Sequence, residues 1–382
     1  MIKYCEKLQL ERRAVIIKVL INYPGDNSLI KGEENRGGVF NYYNILSMHF
    51  DQNVDYFTVG NRMPEETIAH RTLRMIKDYL NYHRTLKLGS YDLIHLNPSF
   101  NKKAITRDAL FLLIAKLMKR KIVVFMRGWD PSFEKVVSKY FLLPFRLVYF
   151  QADACIFLAE QFSRTFKSWG YAGPVYIETT VVSNDFLINT SKQNNKGSGN
   201  SVFNILFLSR LEEKKGIYRA LDAFAMVKNN YPWINMTVAG NGAEYNNAVS
   251  YTESKGIDDV DFIGWVEGAL KQKTFASADL YLFPSTHGEG MPNSVLEAMG
   301  TGLPVITRNV GGLSDFFEHG KMGFITDSED PSVFASFIEL LVNSPELCYK
   351  MGNYNHHYAN NRFSASLVAQ RLRRIYGEII NV

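Results

Sequence analysis

Apolar residues in the first half of the chain fall in short runs of strand length, separated by longer stretches with helical spacing. Runs at 14–22, 54–59, 93–96, 122–126 and 153–159 read as strands, and amphipathic stretches at 39–50, 66–86, 109–118 and 160–169 read as helices. Such alternation predicts a parallel sheet covered by helices. A run at 175–182 closes this half. Residues 189–201, NTSKQNNKGSGNS, carry no hydrophobic face and read as a linker. The pattern then starts afresh, with strands expected at 203–209, 236–239, 260–266, 278–283 and 303–306. Helices are expected at 218–229, 271–277, 294–299, 339–341, 347–358 and 365–380. Two α/β domains follow, 1–188 and 202–364, in line with a length of 382 residues that exceeds what one core usually serves.

Composition changes this picture little, with 46% hydrophobic and 21% charged residues, as in ordinary globular proteins. Charge is uneven. Residues 1–190 hold 26 Lys and Arg against 18 Asp and Glu, a balance of +8, and residues 191–382 hold 17 against 20, a balance of −3. A basic half can attract anionic lipid or an acidic acceptor. No zinc spacing, arginine-rich arm or RNP-like motif points to nucleic acid. Cys5, Cys155 and Cys348 are far apart and lack metal-ligand spacing, which favours a reducing, cytoplasmic setting without disulfides. No apolar run is long enough to span a bilayer. The apolar stretch 109–118, followed by Lys119-Arg120-Lys121, and the aromatic stretch 133–149 are each open to two readings, core helix or peripheral contact with an anionic membrane.

The stretch 284–302, PSTHGEGMPNSVLEAMGTG, follows a strand and opens a helix. A strand, a glycine-containing loop and a helix N-terminus present free N–H groups and a positive dipole end to an anion. Glu289 in the loop and Glu297 in the helix stand eight apart, so a ligand across the helix start meets both. The structural alternative is a capping box, Ser294-x-x-Glu297, with Gly288 and Gly290 merely turning the chain. Two further junctions suit a diphosphate. Arg210 and Lys215-Gly216 stand between a strand and a helix, where Arg forks two oxygens and Lys adds a point charge. Gly37-Gly38 precedes a helix in the first half.

The order EGMPNSVLEAMGTGLPVI then NVGGLSDFFEHGKMGFI resembles the glutamate-x7-glutamate segment of retaining glycosyltransferases of family 4. That resemblance implies the GT-B fold, two doubly wound Rossmann-like domains facing across a cleft, with the helix at about 365–382 packing back on the first. It implies a donor site of Gly37, Gly38, Arg210, Lys215, Trp265, Val266, Glu289, Gly290, Met291, Pro292, Asn293, Ser294 and Glu297. Glu289 would orient the transferred sugar, Glu297 the ribose, and Arg210 with Lys215 would neutralise the diphosphate. Many relatives carry His-Gly-x-Asp where this chain has Arg127-Gly128-Trp129-Asp130, so Arg127 replaces the histidine. Asp130 is either a residue that orients the acceptor hydroxyl or a turn residue before Pro131. Asp315 stands where relatives commonly carry Glu.

The expected function is sugar transfer, with retention, from a nucleoside diphosphate sugar (UDP or GDP) to a saccharide or lipid-linked saccharide in cell-envelope synthesis. No cofactor and no metal are expected, since Asp259-Val260-Asp261 precedes a strand instead of following one. The competing readings are a nucleotide-sugar-binding subunit without catalysis, prompted by Arg127, and a nucleotide-sugar epimerase of the same fold.

Overall fold

The structure is a computed structural model that describes residues 17–24, 38–50, 53–59, 67–187 and 202–381. Gly37 and the linker 189–201 lie outside the described residues. In the first domain the order is β1 Val19–Pro24, α1 Gly38–Leu46, β2 Val54–Val59, α2 Ile68–Leu88, β3 Leu93–Leu96, α3 Lys102–Leu117 and β4 Lys121–Met126. It continues with α4 Pro131–Val136, a π turn Val137–Phe141, α5 Leu142–Tyr149, β5 Ala154–Phe157, α6 Glu160–Ser168 and β6 Val175–Ile177. The second domain runs β7 Phe203–Leu208, α7 Ile217–Lys228, β8 Ile234–Ala239, α8 Tyr245–Lys255, β9 Val260–Gly264, α9 Gly268–Ser277 and β10 Leu280–Phe283. Then come α10 Asn293–Gly300, β11 Val305–Arg308, β12 Gly323–Thr326, α11 Pro331–Val342, α12 Pro345–Phe363 and α13 Ala365–Asn381.

Each domain is a six-stranded parallel sheet, ordered β2-β1-β3-β4-β5-β6 and β12-β11-β10-β7-β8-β9. Strand order reverses between β1 and β3 in the first sheet and between β7 and β10 in the second. In open α/β sheets the crevice beyond the carboxyl ends at such a reversal is where ligands bind. The chain therefore has two such crevices.

Two elements escape the hydrophobic pattern. Helix α8, YNNAVSYTESK, buries only Ala248 and Thr252, so it has almost no apolar stripe to read. Strand β12 is a four-residue edge strand that begins with glycine. The fragment expected at 339–341 is the end of α11, whose start is marked by Asp330 accepting from Ser332 N at 2.9 Å. Strand β11 begins two residues later than the apolar run, after Pro304, which has no N–H for the ladder.

Helix α13 follows the second domain in sequence but buries Val368, Leu372, Ile375, Tyr376 and Ile379 with Val19, Ile21, Tyr42 and Phe125 of the first. The two chain crossings lie side by side: Val182 N donates to Phe363 O at 2.9 Å. Arg371 Nη2 donates to Glu178 Oε2 at 3.0 Å. A buried relay also joins α13 to the first sheet. Tyr43 Oη donates to Asn97 Oδ1 at 2.5 Å, so it can only accept from His95 Nε2, 3.3 Å away. His95 Nδ1 is then the acceptor for Tyr376 Oη at 2.6 Å. Asn97 Nδ2 completes the chain on Asn22 O at 2.8 Å.

Burial, and then the charge of Arg127, lowers the His95 pKa from 6.5 to about 3. The folded state therefore holds His95 neutral, and the unfolded chain binds the proton first. Its stabilisation is full above pH 6.5 and is lost as pH falls toward 3. We expect the unfolding temperature to fall between pH 7 and pH 4.5, with a shallower fall in His95→Gln. Equal slopes in calorimetry would remove His95 from the acid response.

Candidate active site

The reversal between β7 and β10 puts the loops after these strands side by side. After β7 the chain makes a 3₁₀ turn, Glu213–Lys215, that buries Lys215. After β10 the segment 284–287 is tied to that turn, with Thr286 N and His287 N donating to Lys214 O at 2.8 and 3.1 Å. Lys215 Nζ is thereby brought onto the Glu289 carboxylate. Ser285, fully buried, donates to Glu289 Oε1 at 3.3 Å and accepts from His287 N at 3.1 Å. His287, half-buried, is held below its ordinary pKa first by burial and then by the positive charge of Lys215, so it is neutral near pH 7. The two side chains of the Lys215–Glu289 pair are only 8% and 13% exposed. Removing one member of so buried a pair leaves the other unpaired, at about 3–5 kcal/mol.

Helix α10 corrects the capping-box alternative. Its N-cap is Pro292, not Ser294, and Glu297 faces sideways to Lys271 of α9, with Nζ 2.7 and 2.6 Å from the two carboxylate oxygens. A carboxylate held by a lysine does not reach back to a cap. Asn293 opens the helix, and its Oδ1 is buried with no partner. Across the cleft is Gly38, the first residue of α1: a Cβ there would lie 3.5 Å from Asn293 Nδ2.

Gly288 and Gly290 are explained by the other domain. A Cβ on Gly288 would lie 2.7 Å from Trp129 O, and one on Gly290 would lie 2.6 Å from Arg127 O and 2.7 Å from Leu158 Cδ1. The loop holding Glu289 thus presses its backbone on the loop after β4. Next to it Met291 packs against the cores of both domains. A second contact lies alongside, where Asp315 Oδ2 accepts from Glu160 N at 2.6 Å.

On the first domain, Arg127 follows β4 and is 7% exposed. Its guanidinium carbon lies 3.8 Å from the Tyr42 ring centroid and 4.3 Å from that of Phe125. Its Nε and Nη1 have no hydrogen-bond partner. Asp130 is exposed and caps α4, accepting from Ser132 N and Phe133 N at 2.9 and 3.3 Å, as the turn reading required.

The structure thus joins Lys215, Glu289, Gly290, Met291, Pro292 and Asn293 in one wall, with Ser294 in the first turn of α10. Arg210 stays exposed and pairs with Glu212 at 2.6 Å. Trp265 and Val266 follow β9, at the sheet edge two strands from β7; Val266 is buried, and the Trp265 indole Nε1 is buried without a partner. Asp259 of the Asp-x-Asp triplet pairs with Lys228 at 2.5 Å. Sequence reasoning missed Ser285, His287 and Lys271. The first two lie inside the cradle stretch itself, whereas nothing local marks Lys271.

Residues 189–358 match the family model described as glycosyl transferases group 1. The chain is 31% identical over 180 residues to spore coat protein SA of Bacillus subtilis, covering 45% of this chain and 48% of that one. It is 26% identical over 190 residues to the capsular polysaccharide biosynthesis glycosyltransferase CapM of Staphylococcus aureus, covering 47% of each. The matched portion therefore spans about half the length of these relatives. The fold extends further. The crystal structure of Anabaena HepE in complex with UDP superposes with a TM-score of 0.69 over 95% of this chain and 100% of that one, at 18% identity.

A methyl group at position 290 is expected to force the Arg127 loop outward. Overpacking of this kind costs about 1–3 kcal/mol. Gly290→Ala should therefore melt several degrees lower and scatter X-rays as a more open particle, and an unchanged melting temperature with an unchanged radius of gyration would mean that the contact is slack. Residues 189–358 are thus similar to the group 1 glycosyl transferases, and the described residues form two facing Rossmann-like domains with the GT-B fold.

Proposed function

We propose that the chain is a retaining glycosyltransferase of family 4 that moves a sugar from a nucleoside diphosphate donor to an acceptor hydroxyl in envelope polysaccharide or glycolipid synthesis. The observation that carries the reading is the buried Lys215–Glu289 pair at the β7/β10 reversal, beside the start of α10 and the unpartnered Asn293 Oδ1. Such a wall has a cation and free N–H groups for a leaving diphosphate and a fixed carboxylate for sugar hydroxyls. Lys215 is positioned before the donor arrives, so little reorganisation is needed as negative charge develops on the leaving oxygen. Arg210 reaches the diphosphate by exchanging its exposed Glu212 partner, a contact of small worth in water. UDP is the first candidate nucleotide, because the HepE structure is described with UDP bound.

Retention admits a carboxylate nucleophile or a front-face route in which a donor phosphate oxygen takes the acceptor proton. Glu289 is neutralised by Lys215 and bonded by Ser285, which makes it a poor nucleophile and favours the front-face route. Glu297, oriented by Lys271, takes the ribose. Base contact falls to Trp265 and Val266, and Gly37 with Gly38 approaches the diphosphate from the first domain. Charge on the diphosphate is met by side-chain cations, without metal. On the acceptor side, Arg127 with two unpartnered nitrogens suits a phosphate or carboxylate of a saccharide or lipid-linked saccharide, and Asp130 lies beside its path. The setting is the cytoplasm, at the inner membrane face.

UDP and its sugars should raise the melting temperature with or without EDTA. Glu289→Ala should lower turnover by about two to three orders of magnitude. Glu297→Ala should chiefly raise the donor Kd, about tenfold or more for a lost charged hydrogen bond. Near wild-type rates in both variants would refute the site, and donor binding with neither transfer nor donor hydrolysis would make the chain a binding subunit.

A further inference from the structure

Helices α2, α3, α5 and α6 cover one face of the first sheet, and the first three pack side by side. Their inner residues, such as Tyr82, Phe111, Phe145 and Tyr149, are buried as the pattern predicts. Their outer surface breaks the pattern. Leu117 at the end of α3 is 83% exposed, and Tyr140, Phe141, Leu143 and Leu147 are 65%, 55%, 67% and 63% exposed. Four of these five lie within the short segment 140–147, which overlaps the π turn between α4 and α5. A soluble surface scatters such residues singly, whereas a contiguous patch marks an interaction site.

Charge narrows the partner. Between Pro131 and Phe150 the cations Lys135, Lys139 and Arg146 are exposed, and the only acid, Glu134, is turned inward onto Trp129 Nε1 at 2.6 Å. On the neighbouring helices the acids are likewise withdrawn. Asp78 of α2 and Asp108 of α3 are both buried and paired with Arg74 and Arg107 of their own helices. The outward surface of this layer therefore offers apolar side chains and cations with no exposed acid on α2, α3, α4 or α5. A second copy of the chain is a poor match, because a two-fold contact would set cation against cation. Apolar and aromatic tips ringed by Lys and Arg are the chemistry of the bilayer interface with anionic headgroups.

We propose that this layer, with the 135–147 segment as its wedge, docks the protein on an anionic lipid bilayer. Tyr140, Phe141, Leu143 and Leu147 enter the headgroup and upper acyl region while Lys135, Lys139 and Arg146 meet lipid phosphates. The wedge is tied to the cleft. Pro131, where α4 begins, has its Cδ 2.9 Å from the place a Gly288 Cβ would take, beside the Glu289 loop. The six residues of α4, beginning with Pro131, lead from it to the π turn, roughly 9 Å at 1.5 Å per residue. The cleft mouth then lies within a saccharide's length of the lipid surface. Only this link to a lipid-linked acceptor rests on the function proposed above; bilayer binding itself does not.

The test is co-flotation of the full chain with vesicles of phosphatidylcholine alone or with a quarter phosphatidylglycerol, at low and high salt, together with light scattering for mass. The wild-type chain is expected to float with the anionic vesicles as a monomer, less so at high salt. Phe141→Ser/Leu143→Ser/Leu147→Ser should reduce binding to the level seen with phosphatidylcholine alone. Lys135→Glu/Lys139→Glu should weaken it about tenfold, with circular dichroism unchanged in both. Absence of flotation, flotation undiminished in both variants, or a wild-type dimer that the triple variant dissolves would each overturn the proposal. Flotation in a protein whose melting temperature UDP does not move would uphold the docking and count against the donor site alone.

Discussion

A lysine and a glutamate 74 positions apart can share a buried site only because β7 and β10 are neighbours in the sheet while β8 and β9 lie to the other side. That reversal sets the loops after the two strands side by side, and the Lys215–Glu289 pair joins them. Its burial imposes the rest of the local design. Ser285 must bond the carboxylate, the backbone of 286 and 287 must tie back to Lys214, and His287 must stay neutral beside the ammonium. Such a pair contributes little net stability compared with apolar packing, and breaking it is costly.

The same loop also closes the molecule. Backbone at 288 and 290 meets backbone at 127 and 129, and Met291 is shared by both cores. Against this front contact stands the rear crossing, where 182 pairs with 363 and Arg371 holds Glu178. Extensive packing at the rear and a smaller contact at the front, made by glycine backbone with Met291 and Asp315, is the arrangement expected of a hinge that opens on the loop side. Asp315, whose carboxyl is raised above its ordinary pKa first by burial, latches the start of α6 next to that opening.

Much of this was legible. The alternation of apolar runs yielded most strands of both sheets within two or three residues, and the resemblance carried the fold. What the chain hid has physical reasons. Strand order is not written in local periodicity, so the two crevices had no sequence signal. Helix α8 lacks an apolar stripe, and Lys271 became visible only when α9 and α10 packed together. The Ser294-x-x-Glu297 spacing fits the capping-box alternative, but a lysine 26 residues away holds the carboxylate more strongly than an N–H does. Gly288 and Gly290 looked like turn residues because their crowding comes from the other domain. Asp130 remained ambiguous because capping and acceptor orientation ask for the same side chain.

Helix α13 has a consequence for the birth of the protein. During synthesis the first sheet is complete once β6 has emerged, yet the face formed by Val19, Ile21, Tyr42 and Phe125 lacks the helix that covers it until residues 365–381 appear. At bacterial or eukaryotic elongation rates of about 5–20 residues per second, that delay is on the order of ten to forty seconds. The N-terminal domain therefore waits on the ribosome with an apolar face bare, and its His95 relay cannot close before the last helix arrives. Chaperone occupancy of that face, and a native first domain attained only after the second has been synthesised, follow from where a single helix is encoded.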